Sequence, residues 1–168
     1  MKEQIIRGST AGAQTNYQMK ITVHKGSGTD TATDIYCGGN CRTDFGDIRW
    51  TKDDGTTLMD YWIESLVSGD NAVFWIEIPS IPAYPGTVGV YMDYGNSAAT
   101  SISNGNDTFV LFDDFTGTTG NNIDSKWMWG GSHQATYGTD YARSGTTGMK
   151  LTGKNDCGGE PYHMLPAA

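Results

Sequence analysis

Ala72-Val73-Phe74-Trp75-Ile76-Glu77-Ile78 is the stretch that decides the fold class. With a period of two, Ala72, Phe74, Ile76 and Ile78 fall on one side and Val73, Trp75 and Glu77 on the other. That is the pattern of a strand with one face on a core. The same period recurs in Tyr17, Met19, Ile21 and Val23 against Gln18, Lys20, Thr22 and His24. It returns in Val88, Val90, Met92 and Tyr94 against Gly89, Tyr91 and Asp93. Asp53-Asp54-Gly55, between 46–52 and 57–65, is a turn signal that predicts a hairpin. Pro79-Ser80-Ile81-Pro82-Ala83-Tyr84-Pro85 excludes helix and central strand and predicts a stiff connector. No long window holds a 3.6-residue period. Strands at short intervals with turn clusters between them predict an all-β chain, an antiparallel β-sandwich of jelly-roll or immunoglobulin-like type with a short C-terminal β segment.

Composition agrees and excludes several functions. The 168-residue chain holds 23 Gly and 11% aromatics, so turns and strand fillers are both abundant and a disordered tail is excluded. Eleven Lys and Arg against 19 Asp and Glu give a net charge of −8, which repels a polyanion and excludes nucleic acid as a partner. No apolar run comes near the ~20 residues of a spanning helix, so membrane insertion is not expected. Met1-Lys2-Glu3-Gln4 does not open a signal peptide, which needs a charged segment followed by an apolar one. The scarcity of Lys and the acidic balance favour an extracellular, cell-surface or virion setting.

Residues 1–96 are expected to form one sandwich domain, and 97–108, small and polar, to be the boundary. In 109–168, Phe109–Phe115 is expected as a strand ending in Asp113 and Asp114, Ile123–Trp127 as a helical turn, and two short strands between 137 and 152. That remainder is too short for the about seven strands of an independent sandwich, so it is expected to be a cap on the first domain or the opening of a second one.

Several residues are candidates for chemistry. Cys37-Gly38-Gly39-Asn40-Cys41 is a tight loop that a disulfide could close if the Cα atoms approach to roughly 4.4–6.8 Å. The alternatives are unpaired or differently paired thiols, Cys157 among them, or a metal held with His24, His133 or His163. Asp44 and Asp47, with Asp53 and Asp54, offer oxygen ligands for calcium, although no D-x-D-x-D-G loop is present. The alternative is that Asp44 caps a turn and Asp47 pairs with Arg49 or another cation on the sheet. No other cofactor is expected.

Glu64 and Glu77, on successive strands, are the one carboxylate pair a glycoside hydrolase could use. The alternative is a structural pair on a solvent face; for nucleophilic catalysis no G-x-S-x-G elbow is present either, so a non-catalytic protein is expected. The aromatics carry more. With Phe74 and Ile76 facing the core, Trp75 faces out; with Tyr61 and Ile63 facing in, Trp62 faces out. Trp62, Trp75 and Tyr91 beside Asp60, Glu64, Glu77 and Asp93 would stack sugar rings and accept hydroxyl hydrogen bonds. The alternative is that a second layer, or the C-terminal segment, covers these rings. Asn106-Asp107-Thr108 is a single glycosylation sequon.

Cys41-Arg42-Thr43-Asp44-Phe45-Gly46-Asp47-Ile48-Arg49-Trp50 is followed by Asp54-Gly55-Thr56-Thr57-Leu58, Tyr61-Trp62-Ile63-Glu64 and Val90-Tyr91-Met92-Asp93-Tyr94-Gly95-Asn96. In this order the motifs resemble a domain family of unknown function found in large surface and secreted proteins of archaea and bacteria, and in some viral proteins. The likeness covers roughly residues 16–113. Phe112-Asp113-Asp114-Phe115 with Asp124-Ser125-Lys126-Trp127 is similar to the start of a concanavalin A-like lectin or glucanase domain, which often follows that family's domain. The family has no established catalytic residues. The resemblance implies a modular, adhesive or glycan-associated protein whose partner is a glycan or a surface protein. A structural module of a surface or virion assembly (tail, fibre or filament) that self-assembles through edge strands is the second expectation, and a fragment of a glycoside hydrolase the third.

Overall fold

The computed structural model describes residues 1–115, 127–128, 134–142, 148–152 and 162–163, and the chain divides into two compact units, 1–109 and 110–168. The first unit is a β-sandwich. One sheet has three antiparallel strands in the order β1 (Lys2–Arg7), β7 (Thr87–Asp93), β4 (Arg49–Thr51). The other has four, in the order β3 (Asp34–Tyr36), β2 (Gln14–His24), β6 (Asn71–Ile81), β5 (Tyr61–Val67). The β2–β6 and β5–β6 pairs are antiparallel, while β3 runs parallel to β2.

The core follows the alternation read from the sequence. Ala72, Phe74, Ile76 and Ile78 of β6 are all fully buried, and the register sets Val23, Ile21 and Met19 of β2 opposite the first three. From the other sheet come Ile6, Trp50, Val90 and Met92. Trp50 meets Phe74 edge-on across the gap, with centroids 6.0 Å apart. Each buried Ile, Val, Phe or Met side chain contributes about 1.5–3 kcal/mol through removal from water.

Four expectations are corrected by the topology. The turn at Asp53-Asp54-Gly55 forms, with Gly55 at φ +68°. It closes only a single bridge, Thr51 to Leu58, because β4 continues into the three-stranded sheet and β5 into the other. The proline-rich stretch is still strand through Ile81. Pro79 sits where β6 has run past its pairing with β5 and is bordered by β2 alone, a position that tolerates a residue with no donor. The sheets are not purely antiparallel, since β3 joins through a parallel pairing. Finally, Phe109–Phe115 is not a strand.

The segment expected as a boundary, 97–108, belongs to the first unit and is strapped across it. Arg42 donates through Nη1 to the carbonyls of Ser97 and Ala99, both at 2.8 Å. Arg49 donates to the carbonyl of Thr100 at 2.6 Å. Further on, the Asn104 N–H donates to the Tyr61 carbonyl, and the Ile63 N–H to Ser103 Oγ, so the strap occupies the outer edge of β5. It ends in one helical turn, α1 (Gly105–Thr108), capped by the Asn104 side chain accepting from the Asn106 N–H. The sequon lies in this turn, with its Thr108 hydroxyl buried and donating to the Asn104 carbonyl.

In the second unit, β8 (Trp127–Met128) pairs antiparallel with β11 (Tyr162–His163), and β9 (Gln134–Gly138) with β10 (Gly148–Thr152). A 3-10 turn, Thr139–Tyr141, follows β9. The helical turn expected at Ile123–Trp127 lies, up to Lys126, outside the described residues.

Candidate functional site

The hairpin of β5 and β6 builds the outer face of the four-stranded sheet. Its register places Trp62 directly opposite Trp75, and both are half-buried. Phe74 and Tyr61 turn the other way into the core, so side-chain alternation alone presents the two indoles outward. One rung further, the Glu77 N–H donates to the Asp60 carbonyl at 2.9 Å, which puts these two carboxylates on the same face. Two strand residues separate the rungs, about 7 Å. Neither carboxylate has a hydrogen bond or ion pair among the described residues. Burial, and then the charge of Asp60, hold Glu77 above the ordinary Glu range.

Glu64 stands at the irregularity between Ile63 and Ser65 in β5. Its Oε2 accepts from Trp75 Nε1 at 3.2 Å and pairs with Lys20 Nζ at 2.8 Å. The Lys20 hydrogen bond is the main reason its carboxyl titrates below the usual range. Lys20 also lies over the Trp75 ring, 5.4 Å from its centroid. Glu64 and Lys20 therefore fix the indole's orientation. Phe109, at the end of the strap, meets both indoles edge-on, 6.0 Å from Trp62 and 5.8 Å from Trp75. Among the described residues the face is an aromatic floor with Phe109 as a wall and a carboxylate pair alongside.

Of the expected ligand-binding residues, Trp62, Trp75, Glu64 and Glu77 share this face. Tyr91 does not. It stands on β7 in the other sheet, where its hydroxyl donates to Glu3 Oε1 at 3.1 Å. Alternation showed that Tyr91 points away from the core, but not from which sheet. Lys20 and Phe109 were not anticipated. Lys20 lay on the polar side of its strand, and only the β2–β6 register carries it to Trp75.

Asp44 and Asp47 hold the loop before β4 rather than an open cation site. Asp44 forms a two-pronged pair with Arg42, at 2.8 and 2.6 Å, and accepts from the Gly46 N–H. Buried Asp47 does not pair with Arg49; it accepts from the N–H groups of Arg42, at 3.0 Å, and Gly95, at 2.7 Å. Asp54 is likewise bound by its own turn, accepting from the Thr56 and Thr57 N–H groups. Among the described residues no cluster of three or more His, Cys, Asp or Glu could hold a metal.

Cys37 and Cys41 come together across their loop, whose Gly38 and Gly39 take positive φ. Both are buried free thiols, without the disulfide that this loop could close. Burial pushes both thiols above their ordinary range. His24 stacks on Tyr36 at 4.5 Å and shares a 2.9 Å hydrogen bond with Asp34. Cys157 and the side chains of His133 and His163 lie outside the described residues.

The carboxylates predict an acid limit. Arg42 holds Asp44 down to about 2, and the His24 hydrogen bond lowers Asp34. Groups with depressed folded pKa values stabilise above the unfolded value, and that stability is lost as pH falls through the folded one. The urea midpoint should hold from pH 6 to about 4, then drop towards pH 2. An unchanged midpoint at pH 2 would contradict this assignment.

A family model described as a domain of unknown function, DUF2341, matches residues 44–130. The chain belongs to this family. The match begins at Asp44 and takes in β4 to β7, the strap, and both indoles, so the DUF2341 region includes the whole Trp62–Trp75 and Asp60–Glu77 ladder. The first three strands precede it. No curated protein and no solved structure matches the chain.

Proposed function

We propose that this DUF2341 protein is a non-catalytic, extracellular binding module that takes a neutral glycan on the outer face of its four-stranded sheet. One observation carries the reading: the Trp62–Trp75 rung lies next to a rung of two carboxylates without described partners. A half-buried Glu77 beside Asp60 weakens the fold, because burial and like charge both disfavour its ionised form. A cost of this kind, with no structural return, is expected where a protein must offer acceptors to a ligand. Sugars suit the arrangement, since pyranose faces stack on indoles and hydroxyls donate to carboxylates. The net charge of −8 disfavours anionic ligands. No metal is required, and the partner is a glycan on a surface.

The test is retention on a panel of immobilised neutral polysaccharides, with indole fluorescence as a second readout. Trp75→Ala and Trp62→Ala should abolish retention. Glu77→Gln should weaken binding while raising the melting temperature, because it removes a charge that destabilises the folded state. Absence of retention on every polysaccharide would overturn the reading, as would a Glu77→Gln variant that binds as well as the parent.

A further inference from the structure

We infer that the free edge of β1 pairs with β1 of a second copy of this chain, making one continuous six-stranded sheet across a two-fold axis. This goes beyond the glycan reading and does not depend on it, since β1 lies in the other sheet.

The first ground is that β1 is the long open edge of its own sheet among the described residues; elsewhere β2 is open from Gln14 to Ile21, where β3 does not reach, and β9 and β10 pair only with each other. β3 and β4 are three residues long, and β4 also bridges to Leu58. The edge of β5 is taken by the strap at Tyr61 and Ile63. β1 has six residues, pairs with β7 on one side, and has no described backbone partner along its outer side. Such a strand is a template for another chain.

The second ground is the residues it presents. Glu3, Ile5 and Arg7 point to the outer face of the sheet, while Ile6 points to the core. Ile5 is 60% exposed, unusual for an isoleucine in a regular strand. Arg7 makes no hydrogen bond or ion pair among the described residues.

The register follows from these. For the two copies to keep their cores on the same side, an outward residue must oppose an outward residue. Pairing Glu3 with Ile5 of the second copy would also set Lys2 opposite the buried Ile6. Centring the two-fold on Ile6 would leave Arg7 facing Ile5. Centring it on Ile5 places Ile5 against Ile5 and, twice over by symmetry, Glu3 against Arg7. Only this last register matches opposite charges and covers the exposed isoleucine.

Sedimentation velocity over a concentration series should show a reversible dimer of the intact chain. Ile5→Lys should leave a monomer, folded by circular dichroism because the site is exposed. Glu3→Arg and Arg7→Glu should each weaken the dimer about tenfold or more, and the double swap should restore it. Ile5→Cys should give a covalent dimer with oxidised glutathione, above any formed by the parent with its three native cysteines, because Cα atoms opposite each other lie about 4.5–5.5 Å apart. Glu3→Cys should not, because in this register its counterpart is residue 7. Trp75→Ala should leave the dimer intact, which separates this interface from the glycan face. A parent that stays monomeric at the highest concentration overturns the inference. So does a dimer that survives Ile5→Lys, or equal cross-linking from positions 3 and 5.

Discussion

Phe74→Ala should lower the stability of the first unit by about 3–5 kcal/mol. Phe74 is fully buried on the central strand β6, between Ile21 of β2 and Ile63 of β5 in register. Its ring meets Trp50 edge-on and leans on Tyr61 at 5.4 Å, so truncation opens a void that neither neighbour can close without losing its own contacts. Those contacts span both sheets, which means the loss weakens their packing rather than one strand. A domain of this size has only about 5–15 kcal/mol to lose. Urea unfolding followed by indole fluorescence should show the midpoint falling steeply, with Phe74→Leu intermediate. A loss below about 1 kcal/mol would mean that the sheets do not meet at Phe74.

Asp47→Ala should cost about 2–4 kcal/mol although it removes no apolar contact. The carboxylate is buried and accepts from two backbone N–H groups, those of Arg42 and Gly95, which belong to segments far apart in sequence. Without it, two part-buried hydrogen bonds that join these segments lose their shared acceptor. Asp47→Asn can keep one acceptor oxygen and should recover part of the loss. Thermal melts of the pair decide between this brace and a metal-ligand role. Added calcium should not shift the parent's melting temperature if Asp47 serves the backbone.

The sandwich was legible because β2, β6 and β7 alternate cleanly, and alternation reports burial directly. Which sheet a strand joins was less legible. The Asp53–Gly55 turn is a local signal that looks the same whether its arms pair for six residues or part after one bridge. Tyr91 was misplaced for that reason, as outward-facing on the wrong layer. The parallel β3 is three residues long, too short to carry a period. Of the candidate site, Trp62, Trp75, Glu64 and Glu77 were legible from strand parity. Lys20 and Phe109 depend on register and on the path of the strap. The strap has the small, polar composition of a linker. It is held through main-chain carbonyls and amides, which composition does not display. Asp47 drew attention as a possible ligand, and its actual partners are amides that no side-chain pattern encodes.

The strap also determines how tension would enter the fold. Among the described residues, the strap is held from its C-terminal end by the Phe109 ring on Trp62 and Trp75, then by α1 and the Asn104–Tyr61 and Ser103–Ile63 hydrogen bonds, and last by the Arg42 and Arg49 clamps. A pull on the strap itself therefore loads these fastenings before the core of the first unit. If they are drawn perpendicular to their length they yield one after another, so the strap would act as a sacrificial tether that lengthens while the sandwich stays folded. Its few dozen ångströms of slack would make this fold a shock absorber in any chain strung in series.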